Sequence, residues 1–156
     1  MPIGSPGEPM TEQELLCRVK IDDADDGLST ILRLKDQFLN YTFADQLKAL
    51  LKEFCRQRMH RGVRRFVVDL SAVQIMDSCG LSVLIGLRKI VDENQGRLVL
   101  CQVSPIIQRL LGITRLDRVF EVYPDEPAAM VAVARPKPAS AMVTQPIAPA
   151  PAAPTA

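Results

Sequence analysis

Between Met76 and Leu81 the chain sets a carboxylate, a hydroxyl, a thiol and a glycine side by side: Asp77, Ser78, Cys79 and Gly80, inside the stretch IMDSCGLSVLIG. A helix is expected to begin here, and three chemistries suit such a start. Asp77 or Ser78 could cap the helix, its side-chain oxygen accepting from a first-turn N–H, worth about 1 kcal/mol. Cys79 could be a nucleophile, because a helix N-terminus favours the thiolate. Ser78 could carry a covalent mark. Capping accounts for Asp-Ser but not for Gly80, since glycine inside a first turn costs helix stability. The nucleophile lacks its supports. A phosphate-cradling cysteine loop has an arginine six positions on, where this chain has Ile85, and the sole histidine, His60, stands at the far end of another helix. Cys79 is therefore expected to be an inert thiol, and the protein is not expected to be an enzyme.

The elements that hold this stretch can be read from periodicity. The runs LLCRVKI and LSTILRL flank the acidic turn DDADDG and read as a hairpin. The turn is not a calcium loop, because Ala24 and Arg33 fall where carboxylates are needed. Phe43, Leu47, Leu50, Leu51 and Phe54 recur at helical spacing and predict a helix over 41–58. RRFVVDLSAV is a buried strand, 80–93 a helix stopped by Asn94 to Gly96, and RLVLCQV another strand. Ser104 and Pro105 open a further helix, VFEVY is a short strand, and DEPAAMVAVA a closing helix. Strands alternating with helices imply right-handed crossovers. The expected fold is α/β, a mostly parallel sheet with an antiparallel first strand and flanking helices. In such sheets functional loops lie beyond the carboxyl ends of strands, where QIMDSCG falls.

Composition sets the outer limits. The chain has 156 residues, 47% apolar and only 4% aromatic, with net charge +1. One aliphatic core is expected over 14–134, with a flexible leader at 1–13 and a disordered Pro/Ala-rich tail at 135–156. The charge balance supplies no global field for nucleic acid. No apolar stretch approaches a membrane span, and no secretory leader is visible. Cys17, Cys55, Cys79 and Cys101 are too scattered for a metal site or a disulfide framework, so reduced thiols in the cytoplasm are expected. Neither GxGxxG nor a P-loop occurs, and no cofactor is expected. Arg56, Arg58, His60, Arg61, Arg64 and Arg65 read as a solvated face, and Asp69 as a satisfied structural carboxylate.

FVVDLSAVQIMDSCGLSVLIGLRKI resembles the signature of the STAS-domain anti-sigma factor antagonists, and the similarity continues through GRLVLCQVSPIIQRLLGITRLDRVFEVYPDEPAAM. The resemblance implies a STAS-like domain that regulates transcription by partner switching. In that family the phosphorylated hydroxyl directly follows the loop aspartate, here Ser78, while Cys79 replaces a second serine. Implied partners are an anti-sigma factor with serine kinase activity and a PP2C-type phosphatase. Asp77, Ser78, Gly80 and Leu81 would form the docking surface, Gly80 keeping it low and Leu81 offering an apolar contact. Asn40 stands where the family tends to place an aspartate, with Gln37 in place of a glycine. The other role within STAS domains is that of a structural subunit in a lipid-transport complex or a signalling scaffold.

Overall fold

The runs FVV and LVLC carry no polar break on either face, and they form the middle of the main sheet. The computed structural model describes residues 11–39 and 44–135. Most of the expected leader, Asn40 and the tail beyond Arg135 lie outside them. Strands β1 (Val19–Asp23), β2 (Ser29–Leu34), β4 (Arg65–Asp69), β6 (Arg97–Cys101) and β7 (Val122–Tyr123) make one sheet in the order β1-β2-β4-β6-β7. The first pair is antiparallel and the others are parallel, as expected. Asp26 shapes the hairpin by accepting from the N–H groups of Leu28 and Ser29, and Gly27 supplies the positive φ of 66°.

One face of the sheet carries the main core. Phe66, Val68, Leu98 and Leu100 point into it, beneath helices α2 (Ala44–His60), α3 (Ser78–Glu93) and α4 (Pro105–Ile113). The opposite face presents Val67, Val99 and Cys101 to Ala129 and Val133 of α5 (Glu126–Ala134). Burial on both faces explains why β4 and β6 read as continuous rather than alternating runs. Burial pushes the thiols of Cys101, on β6, and of Cys55, on α2, up to about 12, which disfavours the thiolate near neutral pH.

Several boundaries differ from expectation. Glu12–Leu16 forms a short helix, α1, where the leader and the first strand were expected to meet. Thr11 and Glu14 make a reciprocal capping box, and Leu15 is buried. β4 ends at Asp69 because the Asp69 carboxylate accepts from the Ser71 N–H, 2.7 Å away, and turns the chain. The same chain then forms β5 (Ile75–Met76), which pairs in parallel with β3 (Phe38–Leu39). This second, two-stranded sheet had no counterpart in the sequence reading. Of the segment read as the strand VFEVY only Val122–Tyr123 forms β7, and a 3-10 turn at Leu116–Arg118 precedes it.

An ion network pins α5 to the sheet. The Arg33 guanidinium donates to both Glu126 oxygens at 2.7 Å and also pairs with Asp22. Asp69 lies beside Glu126, bonded to it and to Gln102. Arg33 and then Asp69 hold the Glu126 carboxyl down at about 2, from an ordinary value of 4.5. Burial, and then Glu126, push Asp69 the other way, so of the two carboxyls Asp69 is the easier to protonate. A depressed carboxyl contributes stability above its unfolded value and loses it as pH falls through its folded value. Glu126→Gln should therefore cost about 2 kcal/mol at neutral pH. The gap to the parent should close as pH falls from about 4.5 to about 2. Urea unfolding over that range checks it; a gap independent of pH would remove Glu126 as its source.

Candidate functional site

Asp77, not Ser78, is the cap of α3. Its backbone is extended and its side chain accepts from the Gly80 N–H at 2.9 Å. Ser78 thereby becomes the first helical residue. Its side chain is exposed, and no hydrogen bond among the described residues engages its hydroxyl. Cys79 is half-buried against the main core. Ser82, one turn on, turns its hydroxyl back to the Cys79 carbonyl at 2.6 Å. Ser78, Ser82, Ile85 and Lys89 then follow one another up the solvent side of α3, at the i, i+4, i+7 spacing of a single helix face.

The platform under this helix start is the β3–β5 sheet. The N–H groups of Gln74 and Ile75 both donate to the Gln37 carbonyl, and the Asp77 N–H donates to the Leu39 carbonyl at 3.2 Å. The loop carrying Ser78 is thus tied by backbone bonds to the segment before α2. Gly80 sits against the same strand. A Cβ there would lie 2.3 Å from the Leu39 carbonyl oxygen and 2.6 Å from Met76 Cγ. That answers what capping left open: the glycine is needed because backbone passes where a side chain would be.

Of the residues expected to form a docking surface, Asp77 and Ser78 reach it. Gly80 is buried and Leu81 is 5% exposed, packed in the main core, so neither offers a direct contact. Helical periodicity is the reason: Leu81 shares the inward stripe with Leu84 and Arg88, a quarter-turn from Ser78. The apolar residues that do stand at the surface are Ile75, 53% exposed, and Ile85, 43% exposed. Asn40 belongs to the segment outside the described residues. Among the described residues no cluster of His, Cys, Asp and Glu is arranged for a metal, and no helix is long and apolar enough to cross a membrane.

Known proteins carry the same frame. Residues 20–129 match the STAS domain family. The anti-sigma F factor antagonist of Paenibacillus polymyxa is 29% identical over 100 residues, covering 64% of this chain and 82% of that protein. The anti-sigma-B factor antagonist of Listeria monocytogenes is 40% identical over 55 residues, 35% of this chain and 48% of that one. The phosphorylated form of the Bacillus cell-fate determinant SpoIIAA superposes with a TM-score of 0.55 at 17% identity. It covers 73% of this chain and 98% of SpoIIAA, and it shows likeness of fold.

Proposed function

This chain belongs to the STAS-domain family of anti-sigma factor antagonists, which bind rather than catalyse, and we propose that it is a cytoplasmic partner switch controlled at Ser78. Unphosphorylated, it binds an anti-sigma factor with serine kinase activity and so releases a sigma factor. The kinase modifies Ser78, and a PP2C-type phosphatase resets it. The observation that carries this reading is the exposed Ser78 hydroxyl at the first position of α3, left out of the cap because Asp77 fills that role.

The physics of the site supports a switch acting on the partner rather than on the fold. A phosphate adds about −1.5 to −2 charges and three acceptor oxygens. At the start of a 16-residue helix it meets the positive end of the dipole, which favours the anion without unwinding the turn. Asp77, one residue away, opposes it by like charge. The two effects offset one another within the domain, while the surface shared by Ile75, Ser78 and Ile85 gains charge and bulk. That surface is the docking face in this reading, with Asp77 at its edge.

The protein purified from its own cells tests the reading. One phosphate mapped to Ser78 by peptide fragmentation, varying with growth conditions and absent from a Ser78→Ala strain, is the expected result. Ser78 unmodified in every condition, with the Ser78→Ala strain indistinguishable from its parent, would return the residue to the simple role of a helix start.

A further inference from the structure

One end of the main sheet gathers four arginines from three separate parts of the sequence. Arg64 and Arg65 begin β4, Arg97 begins β6 and Arg135 follows α5, and together they line a pocket of about 220 Å3 with Gln95, Gly96, Val133 and Ala134. It lies at the amino ends of the parallel strands, whereas Ser78 follows β4 at their carboxyl ends. Backbone geometry imposes the gathering. Arg65 and Arg97 are register partners in adjacent parallel strands, so their side chains leave the sheet on the same face. The Arg97 N–H donates to the Arg64 carbonyl at 2.7 Å. Gly96 permits this approach, for a Cβ there would stand 2.8 Å from Val91 Cγ1 and 2.9 Å from the Arg64 carbonyl oxygen. Gln95, at φ 61°, makes the turn that brings the chain in.

Like charges side by side in a ladder are unfavourable unless something neutralises them. The chain supplies part of the answer. Arg97 pairs with Glu121 at 2.6 Å and donates to the carbonyls of Ala132 and Arg135, closing the end of α5. Arg65 reaches Asp26 at 3.7 Å. Arg64 donates one guanidinium nitrogen to the carbonyls of Met59 and Val63, which finishes α2. Among the described residues no carboxylate pairs with Arg64 or Arg135, and no acidic side chain lines the pocket. The four arginines thus have two carboxylate partners, Asp26 and Glu121, neither of which lines the pocket.

We propose that this pocket binds a small phosphate-bearing anion. Arginines from three elements line it, and the guanidinium nitrogens that no partner among the described residues takes, on Arg64 and Arg135, are paired N–H donors suited to the oxygens of a phosphate, which a lone lysine could not supply. The volume falls below the roughly 300–1,000 Å3 of ordinary ligand pockets, so it fits a phosphate or diphosphate group rather than a whole nucleotide. A net charge of +1 supplies no long-range field for nucleic acid, so the attraction is local. The proposal is independent of Ser78 and of any partner there.

Titration of the full-length protein with sodium diphosphate, followed by calorimetry at low salt, tests it. The expected result is a Kd below about 1 mM, at least about tenfold weaker in Arg64→Gln/Arg135→Gln and unchanged in Ser78→Ala. Arg97 is left intact because it closes α5. Arg135→Gln alone guards against a folding artefact, since its side chain makes no hydrogen bond among the described residues, and it should weaken binding by itself. Absence of diphosphate binding, or equal binding by the double variant, would overturn the proposal. So would sulfate raising the melting temperature as much as diphosphate does. Phosphatidylglycerol vesicles separate a free anion from a lipid headgroup: capture that diphosphate fails to displace would also overturn the pocket as the anion site.

Discussion

Gly80→Ala should destabilise the protein by about 3 kcal/mol, although alanine is the better helix former. Propensity alone would favour the change by about 1 kcal/mol. What reverses the sign is the Cβ, which would meet the Leu39 carbonyl oxygen at 2.3 Å and the Leu39 carbonyl carbon at 3.1 Å. These are backbone atoms of a strand held by the Phe38–Ile75 and Leu39–Met76 pairing, so they cannot rotate away as a side chain could. Overpacking against fixed neighbours typically costs 1–3 kcal/mol, and the upper end applies where backbone must move. Two other helical glycines calibrate the result. Gly112→Ala, with nothing within 4 Å, should stabilise by about 0.5–1 kcal/mol. Gly86→Ala meets only the flexible end of Lys48, at 2.9 Å, and should lie between the two. Urea midpoints for the three variants give the ranking. If Gly80→Ala were as stable as Gly112→Ala, α3 would not be seated on β3 as described.

Ser78→Asp should lose binding to the anti-sigma factor by about 100-fold while its unfolding midpoint stays within about 0.5 kcal/mol of the parent. The hydroxyl is exposed and takes no part in the cap, so the fold does not register the substitution. A partner must register it. A carboxylate at position 78, next to Asp77, puts two adjacent negative charges on a docking face that in this reading also carries the exposed Ile75 and Ile85. Burying such a charge without a counter-ion costs several kcal/mol, and each 1.4 kcal/mol is tenfold in affinity. Ser78→Ala should bind as the parent does and escape regulation. Calorimetric titration of the three proteins against the partner, with urea melts alongside, separates the docking effect from a folding effect. Tight binding by Ser78→Asp would mean that charge at this position does not control the interface.

Much of the fold was legible because it rests on local rules. Apolar runs bounded by turn residues marked β4 and β6, alternation of strand and helix implied the parallel order, and Asp26-Gly27 marked the hairpin. Ser104 with Pro105 marked the start of α4. These signals survive in one dimension because each is satisfied within a few residues. Elements of two residues, such as β3 and β5, leave no periodicity to detect. The capping box of Thr11 and Glu14 could have been read, since it has the required spacing, but it precedes a helix of only five residues. The network of Arg33, Asp69 and Glu126 joins positions as much as 93 apart, and no local pattern links them.

The same division runs through the site. By itself the sequence determined that an aspartate, a serine and a glycine stand where a strand hands over to an aliphatic helix, because residue order and spacing are local facts. Only the tertiary structure decided what each does. Asp77 takes the cap and leaves the Ser78 hydroxyl exposed, Gly80 yields its space to the Leu39 backbone, and Leu81 turns inward. At the far end of the same strands, Arg65 and Arg97 became neighbours through a ladder register, and Arg135 joined them because α5 runs back across the sheet. Contacts between residues distant in the chain depend on how elements pack, and packing is a property of the whole core rather than of any stretch within it.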